Sequence, residues 1–150
     1  MENRRRDFYR FLFIIYCAGL FWVLFARNRY DPALPYWEQV RAYLNLTPFH
    51  TIRLYLRLLL DPVRPVLTKL AVYNLLGNVL LFLPMGAFLP LLFPRLRGFF
   101  RTLPAAALVT VTVEILQVLL LAGSCDIDDV ILNLLGTALG YPFYRILRYE

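Results

Sequence analysis

Residues 70–94 read LAVYNLLGNVLLFLPMGAFLPLLFP, a run without a single charged side chain. About 20 mostly apolar residues are enough to cross a bilayer as a helix, because each residue rises 1.5 Å. A helix is the expected form, since backbone exposed to lipid must satisfy its own hydrogen bonds. Three further stretches meet the same criterion. The sequence therefore predicts an all-α polytopic membrane protein, a single domain over residues 1–150 with spans at about 8–26, 70–93, 102–121 and 127–147.

The composition excludes several other classes of protein. Of the 150 residues, 60% are hydrophobic and only 17% are charged, whereas soluble domains carry about 25% charged residues. The net charge of +6 comes mostly from arginines that flank the apolar runs and form no single basic face. That distribution is typical of headgroup anchoring, so we predict no nucleic-acid partner. Two cysteines, Cys17 and Cys125, and one histidine provide neither a disulfide framework nor a usual zinc site.

The positions of the basic residues predict the orientation in the membrane. Four arginines lie within residues 4–10, three within 95–101 and two within 145–148. Basic residues favour the cytoplasmic side, which places both termini and the turn near residue 98 in the cytoplasm. The other seven basic residues belong to the long connection 27–69, which would lie outside. Long connections follow the charge rule less strictly.

Part of that connection has the pattern of a surface helix. Apolar residues of 52–60 alternate with Arg53 and Arg57 at helical spacing. Such an amphipathic stretch favours the membrane interface. The sequence predicts a surface segment at about 48–60.

Polar residues inside the spans are the main functional signal, because burying them in hydrocarbon is costly. Each span after the first carries such residues on one helix face. Asn78, Glu114 and Asn133 lie about 12, 12 and 10 Å from the outer ends of their spans, taking 1.5 Å per residue. We therefore predict a polar pocket that opens outwards, and its candidate ligand-binding residues are Asn74, Asn78, Glu114, Gln117, Asp126, Asp128, Asp129 and Asn133.

Most of these residues also have a structural interpretation. Acids in the first turn of a helix cap free N–H groups, which applies equally well to the three aspartates. Amide side chains commonly join transmembrane helices by hydrogen bonds. Glu114 is different, because an acid near mid-membrane is a functional candidate by default. It is our candidate acid/base residue, and Arg53 or Arg57 is a candidate partner.

Glycine and proline predict how the helices pack. Gly136 and Gly140 form a small-xxx-small pattern, which permits close helix approach. Pro84, Gly86 and Pro90 should bend or loosen the inner half of the second span.

Five motifs resemble those of the VanZ-like family of bacterial membrane proteins. In order, they are NLTPF at 45–49, NLLGN at 74–78, FLPMG at 82–86, EILQ at 114–117 and DIDDVILNLLG at 126–136. The resemblance implies a multi-pass protein of the bacterial cytoplasmic membrane. The best-known members of the family raise resistance to teicoplanin. Carried over by position, the family's polar signature falls on the eight candidate residues.

Three functional hypotheses follow. The leading one is an accessory or binding protein of the cell envelope, without a cofactor, which affects susceptibility to teicoplanin-like glycopeptides through the outward-facing polar pocket. Its partners are membrane lipids and a lipid-linked or peptidoglycan-related ligand. The second is a membrane enzyme in which Asp126, Asp128 and Asp129 hold Mg²⁺ and Glu114 or an aspartate acts as general base. The third is a small proton-coupled transporter that uses Glu114. The sequence leaves the oligomeric state open.

Overall fold

The computed structural model describes residues 2–60 and 65–149, so residues 61–64 of the long connection lie outside the described part. Four of its helices are long and apolar enough to cross a membrane. They match the four predicted spans, and the all-α membrane architecture is confirmed. These helices are α1 (Glu2–Phe25), α4 (Pro65–Leu92), α5 (Phe99–Leu119) and α6 (Ile127–Tyr149).

Helices α4 and α6 form the centre of the bundle through glycines that bring their backbones together. A Cβ atom at Gly136 would lie 2.1 Å from the Val79 carbonyl oxygen, and one at Gly140 would lie 1.8 Å from that of Leu83. The small-xxx-small pattern therefore does produce a close approach. A third glycine, Gly86, serves the same contact from α4, because a Cβ there would lie 2.0 Å from the Thr137 carbonyl oxygen.

The helix breakers do not end α4. The helix is continuous from Pro65 to Leu92, with Pro84 and Pro90 inside it. Loss of two backbone donors is tolerated where neighbouring helices supply packing. Gly86 is thus a packing residue and not an interruption of the helix.

Helix α1 lies at the edge of the bundle and packs mainly through aromatic side chains. The Tyr16 hydroxyl donates a hydrogen bond of 2.8 Å to the Leu81 carbonyl oxygen. The Phe13 and Phe88 rings lie 5.6 Å apart. Large side chains on its other face, such as Ile14 and Trp22, are exposed, as expected for a helix that faces lipid.

The long connection folds over the end of the bundle where α1 ends and α6 begins, which we call the distal end. It contains α2 (Tyr36–Ala42), the two-residue strand β1 (Leu44–Asn45) and α3 (His50–Leu59). Strand β1 pairs in parallel with β2 (Cys125–Asp126), just before α6. Helix α3 occupies the predicted surface segment, and none of its described residues is fully buried.

Helix α2 was not expected from the sequence. Its buried polar residue Gln39 donates side-chain amide hydrogen bonds to the carbonyl oxygens of Asp31 and Leu34, both at 2.8 Å. The Gln39 side-chain oxygen accepts a bond of 2.8 Å from the Asp31 N–H. These bonds close the loop that precedes α2. They are specific contacts, which residue pattern alone does not reveal.

Candidate functional site

Glu114 is almost completely buried, with 3% of its surface exposed. Its Oε2 accepts a hydrogen bond of 3.0 Å from the backbone N–H of Asp126. This bond ties the last turns of α5 to the residue that precedes α6. The glutamate therefore has a positioning contact on one oxygen at the distal end of the bundle.

Asp126 links α6 to the folded connection. Its Oδ2 accepts from the Thr51 hydroxyl at 2.5 Å and from the Asn45 amide at 3.0 Å. Its Oδ1 accepts from the Asp128 N–H at 2.9 Å, which is a normal capping contact for the start of a helix. Asp126 thus caps its own helix and also holds β1 and α3.

Asp128 caps a different helix. It is fully buried, and its two oxygens accept from the N–H groups of Phe49 at 2.5 Å and Ile52 at 3.0 Å. These N–H groups are at the start of α3, where Phe49 adopts a left-handed conformation (φ 61°) and no local side chain caps the helix. The first N–H groups of a helix need partners from elsewhere. We call Asp126 and Asp128 the acid clamp, because together they fix α3 to the bundle.

A cavity of about 240 Å³ lies beside the clamp at the distal end. Asp129 lines it and accepts a hydrogen bond of 2.5 Å from the Asn78 amide. Asn74, Glu114 and Gln117 also line it. The structure therefore brings five of the eight predicted residues to one cavity, which we call the polar cavity.

The side chains of the other three predicted residues are placed elsewhere. Asp126 and Asp128 do not line the polar cavity, since they form the acid clamp. Asn133 is 2% exposed and lies among the helices, where its Oδ1 has no hydrogen-bond partner within the described residues. The depth of Asn133 along its helix is similar to the depths of Asn78 and Glu114. Its side chain, however, is on a part of α6 that the cavity does not reach.

Two of the cavity amides also have a structural contact. The Gln117 side-chain amide donates a hydrogen bond of 2.9 Å to the Leu24 carbonyl oxygen, which ties α5 to the end of α1. The Asn74 side-chain amide donates a hydrogen bond of 2.8 Å to the Leu70 carbonyl oxygen within α4. Hydrogen-bonded joining of helices therefore accounts for part of the role of Gln117.

Residues 13–148 match the family model of VanZ/LLP1. The chain belongs to the VanZ/LLP1 family. "Protein VanZ" of Enterococcus faecium is 30% identical over 137 residues, which cover 91% of this chain and 73% of that protein. No solved structure gives a significant match. The resemblance to VanZ-like proteins in the sequence motifs is thus confirmed.

Two arginines of this VanZ/LLP1 chain were missed as site residues. Arg27 and Arg29, counted above only for topology, line the polar cavity with the two acids. The Arg29 guanidinium lies 5.5 Å from the centre of the Tyr43 ring. Both arginines follow α1 closely and so lie at its distal end. Their position just after the first span was visible in the sequence. A buried acid would have justified a search for cations at that level.

The expected pairing of Glu114 with Arg53 or Arg57 is not found. Among residues 4–60 and 65–148, whose side chains the structure describes, the one ion pair joins Arg10 to Asp7. Arg53 and Arg57 are exposed on α3. The apolar residues of α3 form one face of the helix, so its two arginines lie on the opposite face.

Two groups near the acids, the Tyr55 phenol and the Cys125 thiol, have raised pKa values. Burial raises the pKa of the Tyr55 phenol on α3, and the charges of Asp129 and Asp126 raise it further, while Arg29 lowers it. Burial also raises the pKa of the Cys125 thiol, with added contributions from Glu114 and Asp126. A thiol that stays protonated is a poor nucleophile. Cys125 packs against the apolar cluster of Val40, Val118 and Leu121.

The acid clamp also bears on metal binding. Metal coordination by Asp126, Asp128 and Asp129 would compete with the hydrogen bonds that fix α3. Among the residues that the structure describes, no group of three or more His, Cys, Asp or Glu has a metal-binding arrangement. The oxygens of the clamp are used to hold the connection in place.

Proposed function

We propose that this VanZ/LLP1 protein binds a polar cell-envelope ligand in the polar cavity and thereby alters susceptibility to teicoplanin-like glycopeptides. The ligand is a lipid headgroup or a peptidoglycan-related group. Family membership supports the link to the envelope and to glycopeptides. The observation that carries the proposal is the grouping of Glu114 and Asp129 with Arg27 and Arg29 around one cavity.

The energetic cost of the cavity supports binding over simple packing. Burying a charged group away from water without a charged partner is costly. Two acids share this cavity, and neither forms an ion pair within the described part of the chain. The hydrogen bond between Asn78 and Asp129 can be explained by helix packing alone. Packing does not explain why Glu114 and the two arginines line the same cavity. A ligand with both charged and hydrogen-bonding groups would use all of them.

The size of the cavity indicates what part of a ligand it holds. Drug-sized ligands occupy pockets of about 300–1,000 Å³, and the polar cavity measures about 240 Å³. It can enclose a headgroup or a short polar chain. A whole glycopeptide antibiotic is much too large, so we propose that the protein acts on the envelope and does not enclose the drug.

Loss of the two acids tests this function. We expect Glu114→Gln and Asp129→Asn proteins to insert and accumulate normally, because each amide retains an oxygen that can accept the existing hydrogen bond. In susceptible bacteria whose teicoplanin tolerance is raised by the wild-type protein, the minimum inhibitory concentration should return to that of cells with an empty vector.

The matched control is Glu38→Gln, an identical change at an exposed acid of α2 at the same end of the molecule. It should keep the full wild-type tolerance. Unchanged tolerance in Glu114→Gln and Asp129→Asn, at wild-type protein levels, would contradict the proposal and leave the acids with a structural role alone.

We also propose that the protein lies in the bacterial cytoplasmic membrane with both termini in the cytoplasm. Labelling of single cysteines tests the orientation in a Cys17→Ala, Cys125→Ser background. Ala33→Cys, in the folded connection, should react with an impermeant maleimide on intact cells. Gly98→Cys, between α4 and α5, should react only after the cells are opened. The reverse pattern, or labelling of both from one side, would contradict the orientation.

A further inference from the structure

A second depression at the distal end is open, and six of its eight lining residues are apolar. It lies between the last turns of α1 and the end of α5, and its walls include Phe21, Trp22, Phe25 and Leu120. The Phe21 and Phe25 rings stack at 4.8 Å, while Trp22 remains 72% exposed. We call this surface the aromatic groove. Aromatic side chains at the end of a membrane helix occupy the level where lipid headgroups meet acyl chains.

The aromatic groove adjoins the polar cavity. Arg27 and Ala122 line both, so the two spaces meet at these residues. The polar cavity continues from there to Asp129 and to the buried Glu114. The combined surface therefore changes from a mostly apolar groove to an acidic cavity, and Arg27 lies where the two meet.

Arg27 has the chemistry for an anion at that junction. It is exposed and forms no ion pair within the described residues. Its planar guanidinium can hold two oxygens of a phosphate at once, which an ammonium group cannot do. Arg29 adds a second positive charge on the polar side. Glu114 and Asp129 disfavour the phosphate itself and favour hydroxyl or amino groups beyond it.

We infer that the occupant is a membrane lipid that carries a phosphate. The phosphate binds Arg27, the headgroup enters the polar cavity towards Asp129, and an acyl or isoprenoid chain lies along the aromatic groove. This rests on the proposed function, because it names the ligand class of the same cavity. It selects a lipid over a soluble peptidoglycan fragment, since a soluble fragment would leave the groove unused.

Trp22 provides a direct measurement of the groove. The chain has two tryptophans, so a Trp37→Phe protein reports from Trp22 alone. We would titrate this protein in detergent micelles with phosphatidylglycerol that carries brominated acyl chains, because bromine quenches nearby tryptophan fluorescence. Saturable quenching is expected.

Arg27→Gln should weaken this binding at least about tenfold, which corresponds to about 1.4 kcal/mol for the lost charge-assisted contact. The matched control is Arg53→Gln, an exposed arginine of α3 that lines neither space. It should bind as the Trp37→Phe parent does. A brominated diacylglycerol, which lacks the phosphate, should quench Trp22 weakly and equally in all three proteins.

Two results would overturn the inference. One is equal affinity of the Arg27→Gln and parent proteins for the phosphate lipid. The other is displacement of the lipid by soluble glycerol 3-phosphate at similar concentrations, because the acyl chain would then contribute nothing to the affinity. Failure here is distinct from failure of the proposed function. If Glu114→Gln loses tolerance but quenching does not depend on Arg27, the proposed function stands and the lipid is not the ligand. If quenching depends on Arg27 but Glu114→Gln keeps tolerance, the proposed function is contradicted.

Discussion

Replacing Gly140 with alanine should separate α4 from α6 and destabilise the whole bundle. The added Cβ would lie 1.8 Å from the Leu83 carbonyl oxygen, a backbone atom that cannot turn aside as a side chain can. Overpacking in a core commonly costs 1–3 kcal/mol and sometimes more. We expect about 3 kcal/mol, which lowers the melting temperature by about 6–12 °C for a chain of this length. Thermal unfolding of purified protein in detergent measures it.

The control for this change is Gly77→Ala on α4. A Cβ at Gly77 would meet nothing within 4 Å, and alanine is a better helix former than glycine by about 1 kcal/mol. Gly77→Ala should therefore melt at or above the wild-type temperature. Gly136→Ala should behave like Gly140→Ala, because its Cβ would lie 2.1 Å from the Val79 carbonyl oxygen. Wild-type melting of both variants would show that α4 and α6 do not depend on this contact.

The sequence predicted the spans well because hydropathy over 20 residues is a local property. It also predicted that Gly136 and Gly140 lie at a close contact. It did not predict that Gly86 completes the contact from α4, since spacing within one helix does not identify its partner. Proline and glycine in one stretch pointed to a bend, and α4 runs through Pro84 and Pro90 without a break.

The candidate site was predictable only in part, for a related reason. Depth within each span grouped Asn78 with Glu114, because level is set by rise per residue, and both residues line the polar cavity. Depth says nothing about direction, which is why Asn133 was included although it does not line the polar cavity. Asp126 and Asp128 find their partners at Thr51 and Phe49, more than 70 residues earlier in the chain. Pairings at that distance depend on the tertiary fold.

Removing the Asp128 carboxylate should release α3 from the bundle. Asp128→Ala leaves the N–H groups of Phe49 and Ile52 without their acceptors, and a hydrogen bond to a charged group contributes about 1.5–3 kcal/mol. With two donors affected, we expect a local loss of at least about 2 kcal/mol. Amide hydrogens of residues 52–59 should then exchange at least about 30-fold faster, since local opening sets their exchange. Hydrogen-exchange mass spectrometry measures the change.

The contrast with the helices separates this effect from general unfolding. Amides in the middle of α4 and α6 should exchange as in the wild-type protein, because their contacts do not involve Asp128. Glu38→Ala, an exposed acid of α2, should leave α3 unchanged. Asp128→Asn should have a smaller effect than Asp128→Ala, since one amide oxygen remains as an acceptor. Equal protection of α3 in Asp128→Ala and wild-type protein would mean that other contacts hold the surface helix, and the acid clamp would then lose its assigned role.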